Sequence, residues 1–330
     1  MAVQLDRRTF LTLAAAAGFA TPALQSAAAA ARGALEQALR SFDRLPGTVS
    51  YQITVDKPGR QAWQVSRNPT TQMFVGSAVK TFILAQYLKD LEDGRLAADA
   101  RLVVDDTWRS LESSVFLELT GKTSTSAVLE AMIAHSDNTA TDIAMAQVGV
   151  ARVRKFIADA GLTTVQVPVS TRRLFSYLAG AAYGVDVGWR GAQMIAEGHL
   201  FGPSRSPMNT QETMKATAAD MVKYYRSILS GSYLRTDAMR GEFRRISSMA
   251  DGLWRVVPVH TAAYGKGGSI IWDGFNCFSL PGQMVLGGTT PVTFFFCVNW
   301  TGSLATVPVV RDRFALAVKN TLAEVAALFS

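Results

Sequence analysis

The 330-residue chain is poor in the residues that build metal sites and disulfide frameworks. Its two cysteines, Cys277 and Cys297, form no C-x-x-C pair, and its three histidines, His135, His199 and His260, are far apart. Zinc sites use cysteine and histidine ligands at short, regular spacings. The sequence therefore predicts no metal site, and a chemistry that needs neither a metal nor an organic cofactor.

Long runs of one charge are also missing. Apolar residues make up 48% of the chain and charged residues 18%, which is enough apolar material for a sizeable folded core. The net charge of +7 comes from scattered basic residues, and no basic run is interleaved with aromatic residues as in a nucleic-acid groove. We therefore expect no nucleic-acid partner, and a surface suited to an anionic cell wall or an acidic substrate.

The N-terminus lacks an apolar run of about 20 residues, the length that spans a membrane comfortably. Arg7 and Arg8 precede an apolar stretch over 11–24 and a small-residue stretch over 27–31. The alternative is an amphipathic N-terminal helix, but this order is typical of a cleaved twin-arginine export signal over residues 1–31. The mature protein is then expected outside the cytoplasm, periplasmic or secreted, as a monomer with no stable membrane span.

Hydrophobic periodicity places strands at both ends of the mature chain and helices in its middle. Strands are predicted at 48–55, 61–65, 264–272, 275–280 and 292–300, and helices at 32–45, 77–94, within 125–230 and at 309–328. The pattern predicts an α/β lobe (32–75 and 231–330) with an antiparallel sheet flanked by helices, and an all-α inserted lobe (76–230). The groove between the two lobes is then the default site.

Ser77 and Lys80 form an S-x-x-K motif at the start of a predicted helix. At this spacing the two side chains share one helix face. A serine hydroxyl needs a neighbouring base to become a nucleophile, and an amine serves once burial or positive charge lowers its pKa. A helix start also offers free N–H groups to an oxyanion. The alternative is a helix-capping serine followed by a solvated lysine.

Two later polar clusters complete a possible site. Ser136-Asp137-Asn138 offers a hydroxyl that can shuttle a proton to a leaving nitrogen, and an amide that can bind a substrate amide or Lys80. Alternatively, these residues simply cap a helix. Lys266-Gly267-Gly268-Ser269, on a predicted strand, offers a positive charge, glycines that allow close backbone approach and an N–H for an oxyanion. Its alternative is an ordinary bulge.

S-x-x-K, S-D-N and K-T-G in this order characterise class A β-lactamases and penicillin-binding proteins. Over nearly its whole mature length the chain resembles these serine hydrolases, which implies the β-lactamase/transpeptidase-like fold. The resemblance implies acyl transfer through a Ser77 ester, with Lys80 as base and Ser136 as proton shuttle. The substrate-binding residues would be Asn138, Lys266, Gly268 and Ser269.

Three departures from the family matter. The hydrolytic glutamate expected within 169–175 is absent, and Thr171, Arg172 or Arg173 stands near its place. Gly267 replaces the hydroxyl residue in the middle of the K-T-G motif. Ser136 and Lys266 lie further apart than is usual in class A, with the surplus expected in 181–207. We therefore expect slow clearance of the acyl-enzyme unless Glu197 or Glu212 substitutes as base.

The substrate class stays open at this stage. A β-lactam, a D-amino-acid peptide of the cell-wall type and a small ester all fit the predicted chemistry. A protein that acylates or binds β-lactams or wall peptides with little turnover is the alternative to an efficient hydrolase. The cysteines leave two options: Cys277 and Cys297 are symmetric about residue 287 and could face each other across a hairpin, or they are independent buried thiols.

Overall fold

The computed structural model describes residues 22–57, 59 and 61–329. Most of the predicted export signal, residues 1–21, lies outside this range. The helices are α1 Pro22–Asp43, α2 Lys80–Glu92, α3 Thr125–Ala134, α4 Asn138–Val148, α5 Val150–Asp159, α6 Thr171–Leu178, α7 Gly188–Ala196, α8 Ala218–Leu229, α9 Asp237–Ser248 and α10 Thr306–Phe329. The strands are β1 Thr48–Val55, β2 Trp63–Arg67, β3 Met73–Phe74, β4 Arg101–Val104, β5 Gly121–Ser124, β6 Lys215–Ala216, β7 Ala262–Gly265, β8 Gly268–Trp272, β9 Phe275–Leu286 and β10 Thr290–Thr301.

Strands from both ends of the chain pair in one antiparallel sheet, as the sequence predicts. The order is β2-β1-β10-β9-β7, and β8 also pairs with β9. Strand β1 is buried along nearly its full length, because helices cover both of its faces. Helices α1 and α10 pack together on one side, where Phe42 lies against Phe296 and Phe314 with ring centroids 5.2 and 5.6 Å apart.

Helix α2 is the central element of the helical part. Its residues Lys80–Leu88 are all buried, which is typical of a helix surrounded by protein on every side. It contacts α3, α4, α5 and α9, and the short 3₁₀ turn Gly76–Val79 leads into it. The turn that carries Ser77 is therefore supported between the helical elements and the sheet.

The edge of the sheet differs from the prediction in one respect. The predicted strand 264–272 is two strands, β7 and β8, in the same register against β9 and separated at Lys266–Gly267. Pro281 lies opposite this break, and proline has no N–H to donate to the ladder. The first helix also differs, because α1 begins at Pro22 inside the predicted signal.

The register of β9 and β10 decides how the cysteines lie. Cys277 is paired with Asn299, and Cys297 with Ser279, so the two cysteines are diagonal neighbours and not directly opposed. Both thiols are free and fully buried, and both donate to the carbonyl of Phe74. The hairpin is centred one residue beyond 287, so the option of directly opposed cysteines is wrong and that of independent buried thiols is confirmed, with both side chains on one face of the sheet.

Among the described residues no helix is long and apolar enough to cross a membrane. The same residues hold no cluster of three or more His, Cys, Asp or Glu side chains that could bind a metal ion.

Candidate active site

Ser77 lies in the tight 3₁₀ turn between β3 and α2. Gly76 has a φ of +53°, a left-handed conformation that residues with a Cβ rarely adopt. The turn is held from outside by a hydrogen bond from the Val75 N–H to the Met214 carbonyl, 2.8 Å. The Ser77 side chain is half-buried and faces the groove between the lobes.

Two glycines allow strand β8 to press against this turn. A Cβ on Gly268 would lie 2.1 Å from the Val75 oxygen and 2.7 Å from the Ser77 nitrogen, and one on Gly76 would lie 2.8 Å from the Ser269 nitrogen. The N–H groups of Ser77 and Ser269 are thereby brought together, as an oxyanion hole requires. The sequence pattern suggested that Gly268 makes room for substrate, whereas its actual neighbour is the nucleophile turn.

Lys80 is completely buried at the floor of the groove. Its Nζ donates to the Asn138 Oδ1 at 2.7 Å and to the Ser136 carbonyl at 2.5 Å, and it lies 3.3 Å from the Ser136 Oγ. Burial and the nearby Lys266 charge hold the pKa of Lys80 well below its usual range. The carboxylates of Asp137, Asp142 and Glu112 oppose this shift. A lysine in this environment can act as a base.

Ser136 links the two buried lysines. Its Oγ accepts a hydrogen bond from the Lys266 Nζ at 3.1 Å, and its φ of +59° is a strained conformation of the kind found at functional sites. Asp137 enforces this conformation by capping α4 at the Ala140 N–H, 2.8 Å. Burial lowers the pKa of Lys266 to about 8, so this lysine is largely protonated at neutral pH.

Asn138 takes the second of the two roles that its sequence motif allowed. Its Oδ1 accepts from Lys80, and its Nδ2 donates to the Leu111 carbonyl at 2.8 Å. Both polar ends of the buried amide therefore hold protein groups, so Asn138 fixes the position of Lys80 and of the 111 loop. Its contact with substrate stays a prediction, because the amide keeps a second N–H and a second lone pair that these two bonds do not use.

The start of α6 occupies the place where the family glutamate was expected. Thr171 is buried, and its hydroxyl lies 2.9 Å from the Ser110 Oγ. Asp142 accepts from the backbone N–H groups of Thr171 and Arg172 at 2.6 and 3.0 Å, while burial raises the pKa of Asp142 to about 6. This carboxylate is therefore committed to holding the N-terminus of α6.

The two substitute bases suggested by the sequence have different surroundings. Glu212 is buried, pairs with Arg173 at 3.0 Å and accepts from the Val169 N–H at 3.0 Å, so its carboxylate is structural. Glu197 lies at the end of α7 and lines the same groove as Ser77.

The groove has a volume of about 720 Å³. It is lined by Ser77, Leu111, Glu112, Ser113, Ser114, Leu117, Glu118, His135, Ser136, Trp189, Gln193, Ala196, Glu197 and Ser269. Of these, Glu112 is the group that the sequence reasoning missed. Its carboxylate lines the groove. Burial raises the pKa of this carboxylate, and the positive charge of Lys80 opposes the rise. Its φ of +55° marks a constrained loop, and no local motif points to it.

This arrangement of a serine, two buried lysines and converging backbone N–H groups defines an acyl-transferring serine hydrolase. The family model of the beta-lactamase enzyme family matches residues 34–248, about two thirds of the chain. The chain therefore belongs to the beta-lactamase enzyme family and is a β-lactamase-like serine hydrolase. No curated protein sequence matches the chain significantly.

Solved structures confirm the β-lactamase/transpeptidase-like fold. A mutant class A beta-lactamase of the last common ancestor of Gram-negative bacteria superposes with a TM-score of 0.67 at 17% identity, covering 88% of this chain and 98% of that one. A beta-lactamase from Chitinophaga pinensis gives 0.67 at 16% identity, covering 89% and 99%. A point mutant of PBP-A, in an acyl-enzyme complex with penicillin-G, gives 0.65 at 15% identity, covering 90% and 97%.

Proposed function

We propose that this protein reacts with β-lactams through a Ser77 ester and hydrolyses that ester slowly. The observation that carries the proposal is a contrast within one site. Ser77, Ser136 and Ser269 line one groove, and Lys80 and Lys266 both lie against Ser136, whereas the sequence has Thr171 near the place where the family's water-activating glutamate is expected. The penicillin-G acyl-enzyme of PBP-A, on the same fold, supports the choice of substrate class.

In the acylation step, neutral Lys80 accepts the proton of the Ser77 hydroxyl while its Oγ attacks the carbonyl carbon of the β-lactam. The negative charge that develops on the carbonyl oxygen is stabilised by the N–H groups of Ser77 and Ser269. The C–N bond then breaks, and the leaving nitrogen receives a proton from the Ser136 Oγ. Ser136 then regains a proton from the protonated Lys80, which lies close to its Oγ. Lys266 is within hydrogen-bond reach of the same oxygen.

Lys266 serves this step through its charge. It is buried beside Ser136 and donates to the Gly267 carbonyl at 2.8 Å, so it is fixed at the sheet side of the groove. A fixed cation there attracts the carboxylate of a β-lactam and keeps the pKa of Lys80 low. Because Gly267 has no hydroxyl, this carboxylate has one hydrogen-bonding partner fewer than the family pattern provides.

Deacylation requires a base that can activate water near the ester. Thr171 cannot accept a proton at neutral pH, and Asp142 is held by two backbone N–H groups. The enclosed cavity between Lys80, Asp142 and Thr171 measures only about 10 Å³. This is at the lower limit for a single water molecule, about 10–15 Å³, and Ser77 does not line the cavity. The residues on this side therefore offer a poor base for activating water.

The second candidate function is a hydrolase of D-amino-acid peptides or esters, or a wall-peptide binding protein with little turnover. The same replacement at Thr171 favours it, because a long-lived ester suits a binding role.

Intact-mass spectrometry after mixing with benzylpenicillin tests the proposal. We expect a covalent adduct of one penicillin that persists much longer than it takes to form, and that is missing in Ser77→Ala. Rapid steady-state hydrolysis without an accumulating adduct would contradict slow deacylation, and no reaction at all would favour the peptide or ester alternative.

We also propose export through the twin-arginine route, on the basis of Arg7 and Arg8 ahead of an apolar stretch. Replacing both arginines with lysine is expected to leave an uncleaved precursor in the cytoplasm. Cell fractionation with an antibody against the protein measures this. Mature protein outside the cytoplasm in the lysine variant would overturn the assignment.

A further inference from the structure

Helix α7 forms one wall of the groove that Ser77 lines. Trp189, Gln193, Ala196 and Glu197 all line the groove with Ser77. Their spacings of four, three and one residues place them on a single face of a helix. They belong to the segment 181–207, where the surplus length relative to class A enzymes was expected. The extra chain therefore builds one side of the substrate site.

This wall is fixed to the body of the protein. Arg172 binds both carboxylate oxygens of Asp186 at 2.7 and 2.9 Å, immediately before α7. After α7, the Phe201 N–H donates to the Ala179 carbonyl at 2.7 Å. The Trp272 Nε1 of strand β8 donates to the Ser204 Oγ at 3.2 Å. The segment is thus tied to α6 at both ends and to the sheet edge.

The loop 111–118 forms a second wall of the groove, with the same chemical character. Leu111, Glu112, Leu117 and Glu118 lie along it, and the bond from Asn138 to the Leu111 carbonyl fixes its position. Each wall therefore combines apolar surface with at least one carboxylate.

Charge is divided unequally within the groove. The amines of Lys80 and Lys266 are buried in its floor beside Ser136, and Lys266 carries the positive charge there. Within the part of the chain that the structure describes, the lining of the groove includes three glutamates, Glu112, Glu118 and Glu197, and neither lysine nor arginine. The floor thus suits a carboxylate on the leaving side of the scissile amide, and the walls suit a positive charge on the acyl side.

We propose that the groove selects substrates whose acyl group carries an ammonium beside an apolar or aromatic group. The carboxylates of Glu112 and Glu197 attract the ammonium from the two walls, with Glu118 adding to the same field. The side chains of Trp189 and Leu111 contact the apolar part. This inference rests on the proposed acylation of Ser77 and specifies its substrate class.

Three penicillins with one nucleus test the proposal. At the α-carbon of the acyl group ampicillin has an ammonium, benzylpenicillin a hydrogen and carbenicillin a carboxylate. Acylation rates are measured by intact mass near pH 6.5, below the α-amino pKa of about 7.7–8.0. A charge-assisted hydrogen bond predicts that ampicillin reacts faster than benzylpenicillin by roughly 10-fold. Carbenicillin is expected to be the slowest.

The variants Glu112→Gln and Glu197→Gln, alone and together, assign the effect to the walls. In the double variant, the ratios of the acylation rates of the three penicillins should fall toward one. Because each ratio compares two penicillins on the same variant, it cancels any change that Glu112→Gln causes in Lys80. Glu324→Gln, on α10 and outside the groove, is the matched control and should keep the wild-type ratios.

Equal rates for ampicillin and carbenicillin, or a preference that survives in the double variant, would overturn the proposal while leaving the acylation of Ser77 intact. Absence of any adduct with all three penicillins would instead overturn the proposed function, and the inference with it.

Discussion

The two sides of Ser77 differ in how completely they are equipped. On the sheet side and at the S-D-N turn, Lys80, Ser136 and Lys266 form one hydrogen-bonded network, and Gly268 lets the oxyanion donors meet. On the α6 side, the buried Thr171 lies near the place where the sequence pattern predicts the family's catalytic carboxylate. On our proposal, forming and clearing an acyl-enzyme are separate tasks, performed by different elements of one fold.

The largest effect is expected from removing the nucleophile. Ser77→Ala should abolish the penicillin adduct entirely while the thermal unfolding transition stays close to that of the parent. Intact-mass spectrometry gives the adduct, and circular dichroism gives the unfolding transition. An adduct in the variant at the parent's rate would assign acylation to another residue.

Lys80→Met should slow acylation by about 10²- to 10⁴-fold, the usual contribution of a general base. Lys89→Met on the same helix is the control, because Lys89 pairs with Glu92 and lies away from the groove. Stopped-flow measurement of adduct formation compares the two. Similar rates in both variants would show that Lys80 is not the base.

Gly268→Ala should slow acylation by about 10²- to 10³-fold, the cost of losing an oxyanion donor. The new Cβ would push strand β8 away from the Ser77 turn, since it would meet the Val75 oxygen at 2.1 Å. Gly267→Ala is the matched control, because its Cβ would have ordinary contacts at 3.5 Å. Equal rates in the two variants would exclude the close approach as a requirement.

Thr171→Glu should speed loss of the adduct, by about 10²-fold if the new carboxylate reaches the water of the ester. Thr171→Gln has the same size without the basicity, so it separates catalysis from disturbance of the small cavity beside Lys80. Decay of the adduct after removal of free penicillin is the measurement. Equal decay in both variants would mean that the loop does not follow the family's path.

The smallest effect concerns pH. Acylation should increase with pH as Lys80 loses its proton, well below the usual lysine pKa of about 10.4. It should decline again near pH 8, where Lys266 loses the charge that attracts the substrate carboxylate. Lys266→Arg keeps its charge at this pH and should remove the descending limb. A descending limb that persists in this variant would assign it to another group.

Local sequence motifs predict much of the candidate site. The motifs at Ser77, Ser136 and Lys266 come in a fixed order, and glycines and helix-capping residues accompany them because tight turns require these residue types. Strand and helix periodicity gave the nested architecture for the same reason, since one face of each element must be buried. The break at Lys266 was not predicted, because its cause is Pro281 on the neighbouring strand.

The sequence by itself was enough to recognise the family, and it predicts the nucleophile and the missing glutamate, because each of these depends on residue types at short spacings. Tertiary structure alone decided that Glu112 and Glu197 line one groove with Ser77, that Asn138 holds Lys80, and that the cysteines are diagonal neighbours. These relations join residues far apart in the chain. Their distances follow from the packing of whole elements, which no local pattern encodes.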